Sequence, residues 1–303
     1  MNQSYILFHP LSGNGCGKEA ADILEVACPN SLCVDVTGIE SYEAFFGALV
    51  PSDKVILCGG DGMLNHFVND TRHISIINPL YYHPAGNGND FARDLGLTDA
   101  CIPDSPINDY FRMLPSVTVN GKQYLFLNNV GFGIDGYCSK EGDRLREENR
   151  KTGQKKKIND TKIAINGLLC HFAPRNAVVT VDGEVHTYKK VWLAPVMNGR
   201  YYGGGMMAAP EQDRLDPDKN LSVMIMHGAG RLKTLCMFPS IFKGKHIRYK
   251  KHVAILTGHE IAVEFDSPTP LQIDGETILN VRNYVARSHH WAPAEGNTYA
   301  EAR

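Results

Sequence analysis

The first hundred residues alternate short apolar runs with amphipathic stretches. The runs "SYILFHP", "LCVDVT", "KVILCGG" and "ISIINPL" are separated by "GKEAADILEVAC", "SYEAFFGALV" and "GMLNHFVND". Apolar runs of strand length, parted by stretches of helical spacing, predict repeated β-α units feeding a mostly parallel sheet. Ligands of such sheets bind at the carboxyl ends of the strands. Three strand ends carry unusual loops, "HPLSGNGCGK", "CGGDG" and "PAGNGNDFARDLG", so all three are expected to open on one side.

After about residue 118 the pattern changes. "QYLFLNNVGFGID", "AVVTVDGEVHTY", "KKVWLAPVMN", "NLSVMIMHG", "HVAILTGHEIAVEF" and "PLQIDGE" read as strands divided by turn signals, without regular helices between them. Short strands at close intervals predict an antiparallel sheet or sandwich. The expected fold class is therefore α/β in two domains, a parallel-sheet domain followed by a β-rich, sandwich-like one. One segment, 139–172, interrupts the strands; it is basic in its middle and apolar toward its end.

With 303 residues, 43% hydrophobic and 21% charged, the chain can fill two cores. Its net charge of -2 lacks the basic excess of a nucleic-acid binder, so no nucleic-acid partner is expected. Any anionic ligand must be held locally. Eight scattered cysteines form no Cys-x-x-Cys pair and are read as reduced core residues of a cytoplasmic protein. The opening "MNQSYILFHPLSGNG" has no basic flank and apolar stretch of signal-peptide form. No apolar run reaches the ~20 residues of a membrane span, so contact with lipid is expected only at the surface.

In "GGDGMLN", Gly59, Gly60 and Gly62 offer bare backbone at a predicted helix start. Backbone N–H groups there, aided by the helix dipole, bind phosphate without a lysine, and glycine lets the backbone come close. Asp61 is placed to cap the helix or to face Mg2+ or a sugar hydroxyl; the plain alternative is a tight turn. "SGNGCGKE" fails the Walker A spacing, with three residues between Gly13 and Gly17 and Glu19 after the lysine. "GFGIDG" fits G-x-G-x-x-G, but the charged "SKEGDRLREENRK" that follows is not an apolar crossover helix, which argues against a dinucleotide site.

Taken together, these loops resemble a known family. "GGDGMLN" resembles the GGDGT(LN) loop of the diacylglycerol kinase, sphingosine kinase and NAD kinase superfamily, and "PAGNGNDFARDLGL" resembles the P-x-G-T-x-N-D-F-A-R-x-L-G stretch of its lipid-kinase branch. "FHPLSGNG", "NNVGFGID", "YYGGGMMAAP", "LDPDKNLSV" and "QIDGE" continue the likeness in family order over roughly 5–285. The resemblance implies an α/β nucleotide-binding domain over 1–118 and a β-rich lipid-substrate domain over 119–284, with the chain end, 285–303, returning to pack on the first and ATP bound between them.

Carried over by position, Gly59, Gly60, Asp61, Gly62 and Asn65 would line the phosphates, with Thr37 and Asn87 also at the nucleotide. Asp274 would be the general base, against a plain hairpin turn as the alternative. The Asp218 carboxylate and the Leu215 and Asn220 carbonyls match a structural magnesium site, against a solvated turn. Three residues depart from the pattern: Met63 and Asn87 where threonine is expected, and Ser222 where aspartate is more usual. Losing one charge-assisted hydrogen bond from the threonine hydroxyl is worth ~1.5–3 kcal/mol, about ten- to a hundredfold in rate or affinity.

The implied function is an ATP-dependent, Mg2+-requiring kinase that transfers the γ-phosphate to a hydroxyl of a lipid such as diacylglycerol. An NAD kinase is disfavoured, because its branch carries an Asn-Glu pair that this chain lacks. A catalytically weakened nucleotide or lipid sensor is the other alternative, and Met63 is its support. A lipid substrate implies peripheral contact with the anionic inner face of the membrane through roughly 144–172, where Arg144, Arg146, Arg150, Lys151, Lys155, Lys156, Lys157 and Lys162 cluster. Each basic residue near such a surface is worth ~1 kcal/mol; the alternative is a solvated charged loop. His9, His66 and His83 lie near the predicted crevice and are assigned no catalytic role.

Overall fold

The computed structural model describes residues 3–97, 105–152, 160–168 and 172–288. The first domain follows its hydrophobic pattern closely. β1 (Ser4–Phe8), α1 (Ser12–Gly15), α2 (Gly17–Ala27), β2 (Ser31–Asp35), α3 (Tyr42–Ala48), β3 (Lys54–Gly59), α4 (Asp61–Asp70), β4 (Leu80–Pro84), α5 (Asp90–Leu95) and α6 (Asn108–Phe111) succeed one another. The four strands form an all-parallel sheet in the order β2-β1-β3-β4. β3 shows why its apolar run is unbroken: Val55 and Leu57 enter the core under α4, while Ile56 and Cys58 enter the core under α2. Strand side chains alternate between faces, so a strand covered on both sides needs apolar residues at every position. α3 begins at Ser41, whose Oγ accepts from Ala44 N at 3.2 Å as an N-cap.

β4 lies further along than expected. The run "ISIINPL" reads as a strand, but pairing with β3 starts only at Leu80. Ile74 and Ile76 instead pack beside the end of α4, and Ile77 is 67% exposed. Pro79, with no N–H to give, sits just outside the ladder.

The second domain is a ten-stranded antiparallel sheet. β5 (Ser116–Val119), β6 (Lys122–Leu125) and β7 (Asn129–Gly133) precede α7 (Ile134–Thr152) and α8 (Asp160–Asn166); β8 (Arg175–Val181), β9 (Glu184–Val191) and β10 (Leu193–Met197) follow. A two-stranded ribbon, β11 (Tyr201–Tyr202) and β12 (Met206–Met207), leads to β13 (Leu221–Met226), α9 (Arg231–Met237), β14 (Val253–Gly258), β15 (Glu260–Ile273) and β16 (Glu276–Arg287). The main path runs β14-β13-β10-β7-β15-β16-β5-β6, with β8 and β9 joined beside β15. Phe132, Val196, Val223, Val263, Phe265, Leu271 and Tyr284 fill its core.

Two expectations change here. Helices do interrupt the strands: α7 starts directly after "GFG", and α9 with its following 3-10 turns occupies 231–248. The signal for α7 lies in its charges, because Arg144 pairs with Glu141 and Glu148, Arg146 with Asp143, and Lys151 with Glu147, all at i,i+3 or i,i+4. The division between sheets also falls earlier than 118/119, since Thr118, Val117 and Ser116 pair with Val285, Ala286 and Arg287 in the second sheet. Residues 285–287 thus lie in that sheet and not on the first domain, and 289–303 fall outside the described residues. Of the described cysteines, all free, Cys28 and Cys58 are buried as expected of core residues, whereas Cys16 and Cys236 are exposed.

Candidate active site

The three glycine-bearing loops converge at the carboxyl edge of the parallel sheet. The second and third touch backbone to backbone: a Cβ built on Gly60 would stand 2.8 Å from the Gly86 Cα, closer than real side chains come. Only two glycines permit this approach. The first loop joins through reciprocal amide bonds, Asn14 Nδ2 to Asn87 Oδ1 at 3.1 Å and Asn87 Nδ2 to Asn14 Oδ1 at 3.0 Å. Gly62 is open on the outer side, with Glu276 Oε1 3.9 Å from where its Cβ would be. The first-turn N–H groups of α4, which begins at Asp61, have no intrahelical acceptors and carry the positive end of the helix dipole.

Asp61 does not line this cradle as a free carboxylate. Its oxygens accept from the backbone N–H groups of Asp90 and Phe91, both at 2.9 Å, and from Asn128 Nδ2 at 3.0 Å. It is a latch that fixes the start of α5 to the start of α4. Asp90 in turn accepts from Gly204 N at 2.8 Å and Gly205 N at 2.6 Å, tying the loop to the second domain. Burial and the adjacent Asp61 charge push the Asp90 carboxyl up to about 7.

Met63 occupies the position where threonine was expected. Its side chain lies against Gly59 and joins the first-domain core, buried with Leu64 and Phe67. The residue serves packing and brings no hydroxyl to the cradle.

In the second domain, Asp274 sits at the turn between β15 and β16 and is buried. Its Oδ1 accepts from Asn128 N at 2.7 Å and Asn129 N at 2.9 Å; its Oδ2 accepts from Leu127 N and from Asn65 Nδ2 at 2.8 Å. Desolvation raises its pKa, and these four hydrogen bonds oppose that rise. Asn65 is one turn along α4 from the glycines. One short helix therefore presents its open end to one side of the cleft and holds the carboxylate of the other.

The remaining sequence candidates are placed as follows. Thr37, beyond β2, bonds to its neighbour Asp35 through both its N–H and its hydroxyl, and no hydrogen bond joins it to the glycine loops among the described residues. The 213–220 loop is organised around Asp216, whose carboxylate accepts from Asp218 N at 3.0 Å and from Asn220 Nδ2 at 3.1 Å. The Asn220 carbonyl, expected beside Leu215 and Asp218 at a magnesium ion, already accepts from Gln212 Nε2 at 2.8 Å. That bond takes one of the two lone pairs of the Asn220 oxygen. Ser222 is buried within β13.

Sequence reasoning missed Glu276 and Asn128, and placed His66 near the crevice without a role. The His66 Nε2 lies 3.6 Å from Glu276 Oε1, and the pair raises the His66 pKa and lowers that of Glu276. Only the string "DGE" pointed to Glu276. α7 crosses the same hairpin, with Thr277 Oγ1 donating to Asp143 at 2.7 Å.

Comparison with known proteins matches both halves of the chain. Residues 3–110 fit the diacylglycerol kinase catalytic domain, and residues 128–287 fit the YegS C-terminal NAD kinase beta sandwich-like domain. The chain belongs to the diacylglycerol kinase catalytic-domain family. Its relatives in this lipid-kinase family include a diacylglycerol kinase of Mycobacterium tuberculosis, 28% identical over 80% of this chain and 78% of the relative. A diacylglycerol kinase of Bacillus subtilis is 26% identical over 91% of this chain and 90% of its own length. A solved structure of a diacylglycerol kinase from Bacillus anthracis str. Sterne shares the fold, with a TM-score of 0.57, 17% identity and coverage of 95% and 94% of the two chains. The Asp274 hairpin falls within the second match.

Proposed function

We propose that this protein transfers the γ-phosphoryl group of ATP to the hydroxyl of a lipid alcohol such as diacylglycerol. The observation that carries the reading is the reach of α4, from its open amino terminus at Gly62 to the Asn65–Asp274 hydrogen bond. Bare backbone at a helix amino terminus, open at Gly62 and shaped by the Gly60–Gly86 contact, fits a phosphate chain. When bound, magnesium-ATP supplies the phosphoryl group and part of the charge neutralisation that phosphoryl transfer needs. The glycine loops hold the phosphates through backbone N–H groups. Asp274 orients the lipid hydroxyl and takes its proton as the oxygen–phosphorus bond forms and the bond to the departing diphosphate breaks. The Asn65 amide is the one side-chain bond on Asp274 that an incoming hydroxyl could replace.

The 144–172 region is proposed to meet the anionic membrane surface. Within it Ile165 is exposed, while Arg144, Arg146 and Lys151 are each paired with an acid on their own helix. Residues 153–159, which include Lys155, Lys156 and Lys157, lie outside the described residues. No helix among the described residues is long and apolar enough to cross a membrane.

The test is transfer of labelled γ-phosphate from ATP into a panel of lipid alcohols in anionic vesicles with Mg2+, with Asp274→Asn as the blank. Labelled lipid that vanishes with the variant supports the kinase. ATP binding with no labelled lipid from any alcohol would instead favour the sensor. Flotation with neutral against anionic vesicles tests the membrane contact.

A further inference from the structure

One buried ion-pair cluster lies between the two domains. Asp94 of α5 faces Arg200 and Arg214 of the second domain, and the Asp94 and Arg214 side chains are each only 4% exposed. Arg200 by itself serves Asp94 three times, through its backbone N–H to Oδ2 at 3.2 Å, Nε to Oδ1 at 2.6 Å and Nη2 to the main-chain oxygen at 2.6 Å. Arg214 gives Asp94 only its Nε. Its two other nitrogens turn to the bend before β7, Nη1 to the Leu127 carbonyl and Nη2 to Asn128 Oδ1, both at 2.5 Å.

Guanidinium offers donors and no acceptor, so it fixes which end of the Asn128 amide faces it. The amide NH2 is thereby turned to Asp61 Oδ1, and the Leu127 and Asn128 N–H groups to Asp274. Among the described residues Asn128 is thus the one bonded to both site carboxylates, and Arg214 is its anchor.

We propose that Arg214 is a positioning residue for phosphoryl transfer: through Asn128 it sets the glycine-loop latch at Asp61 and the acceptor-side Asp274 in one register. The proposal rests on the kinase reading given above. A guanidinium needed only to neutralise Asp94 would not have to engage Leu127 and Asn128, and Arg200 already meets that need.

The experiment uses the full chain with Arg214→Lys, which keeps the charge beside Asp94 and removes the fork. Two quantities are read on folded protein: lipid phosphorylation kinetics, and hydrogen exchange at the Leu127, Asn128 and Asn129 amides. Expected are a kcat lowered about a hundredfold with the KM for ATP changed less than about threefold, and exchange at those amides faster by about tenfold or more. Combining Arg214→Lys with Asn128→Ala should lower kcat no further than the worse single variant, because both act on one contact. A kcat within about twofold of wild type, or losses that multiply in the double variant, would overturn the proposal. If Arg214→Lys does not fold, Asn128→Ala alone takes its place, since it leaves Arg214 bonded to Asp94 and Leu127; it is expected to show the same fall in kcat. Wild-type protein that transfers no phosphate would sink the kinase reading, and the exchange measurement would still decide whether Arg214 holds the 127–129 segment.

Discussion

On the first domain, the loops at 59–62 and 85–90 meet through absent side chains; on the second, Asp274 is gripped by three backbone N–H groups and one amide. The first side gains its shape from what glycine lacks. Enlarging a residue there should break it. The second side depends on one carboxylate whose every acceptor position is taken, so that changing its chemistry without changing its size should break it. The difference teaches where binding and chemistry are divided: the backbone cradle suits an anion of fixed shape, and the buried carboxylate suits a proton.

The largest expected effect is that of Asp274→Asn. The shape is kept and the base removed, so turnover should fall by ~10²–10⁴-fold, read as initial rates of lipid phosphorylation. Next comes Gly60→Ala, whose Cβ would stand 2.8 Å from the Gly86 Cα and force the loops apart. The KM for ATP should rise by about tenfold or more, and thermal or denaturant unfolding should show a loss of about 1–3 kcal/mol. A Gly60→Ala protein with wild-type affinity for ATP would remove the cradle from the account.

Asn65→Ala sharpens the boundary between the two sides, because it removes the one bond from α4 to Asp274. Turnover should fall by about tenfold. The pH profile carries the sign. Burial already raises the Asp274 pKa, and the Asn65 bond works against that rise. The base must be ionised to accept a proton, so activity is lost as pH falls through its pKa; without Asn65 that acid limb should move to higher pH. An unmoved limb would separate Asn65 from the base. The smallest effect on activity is expected of Met63→Thr. Buried against Gly59, this side chain serves the core, so stability should drop by about 1–3 kcal/mol while kcat stays within about threefold. A rise in kcat of tenfold or more would instead show that a hydroxyl is missed at this position.

The glycine loops were legible because each is a continuous string whose conformation its own residues dictate, whereas Asp274 read by itself as a plain hairpin turn and was singled out only by the family resemblance. Asn65 and Asp274 stand 209 positions apart, so the string could supply each residue but not their bond. Asp61 shows the same limit: its place at a helix start could be inferred, whereas its use as a latch depends on Asp90, Phe91 and Asn128 arriving from elsewhere. Arg214 carried no local signal, its partners being 86 to 120 positions away. α7 was hidden for another reason. Its apolar anchors, Ile134, Tyr137 and Cys138, crowd its first turn, and the remainder is marked only by charges three and four apart. At β4, apolar Ile74 and Ile76 imitated a strand while packing on a helix end.

The central claim is that the two sides divide binding from chemistry, and the most direct test is the equilibrium affinity of Asp274→Asn for ATP with Mg2+, measured beside Gly60→Ala. Wild-type affinity in Asp274→Asn, together with its lost turnover and with weakened binding in Gly60→Ala, is the predicted result. Binding weakened in Asp274→Asn as much as in Gly60→Ala would place Asp274 on the nucleotide side and contradict the division.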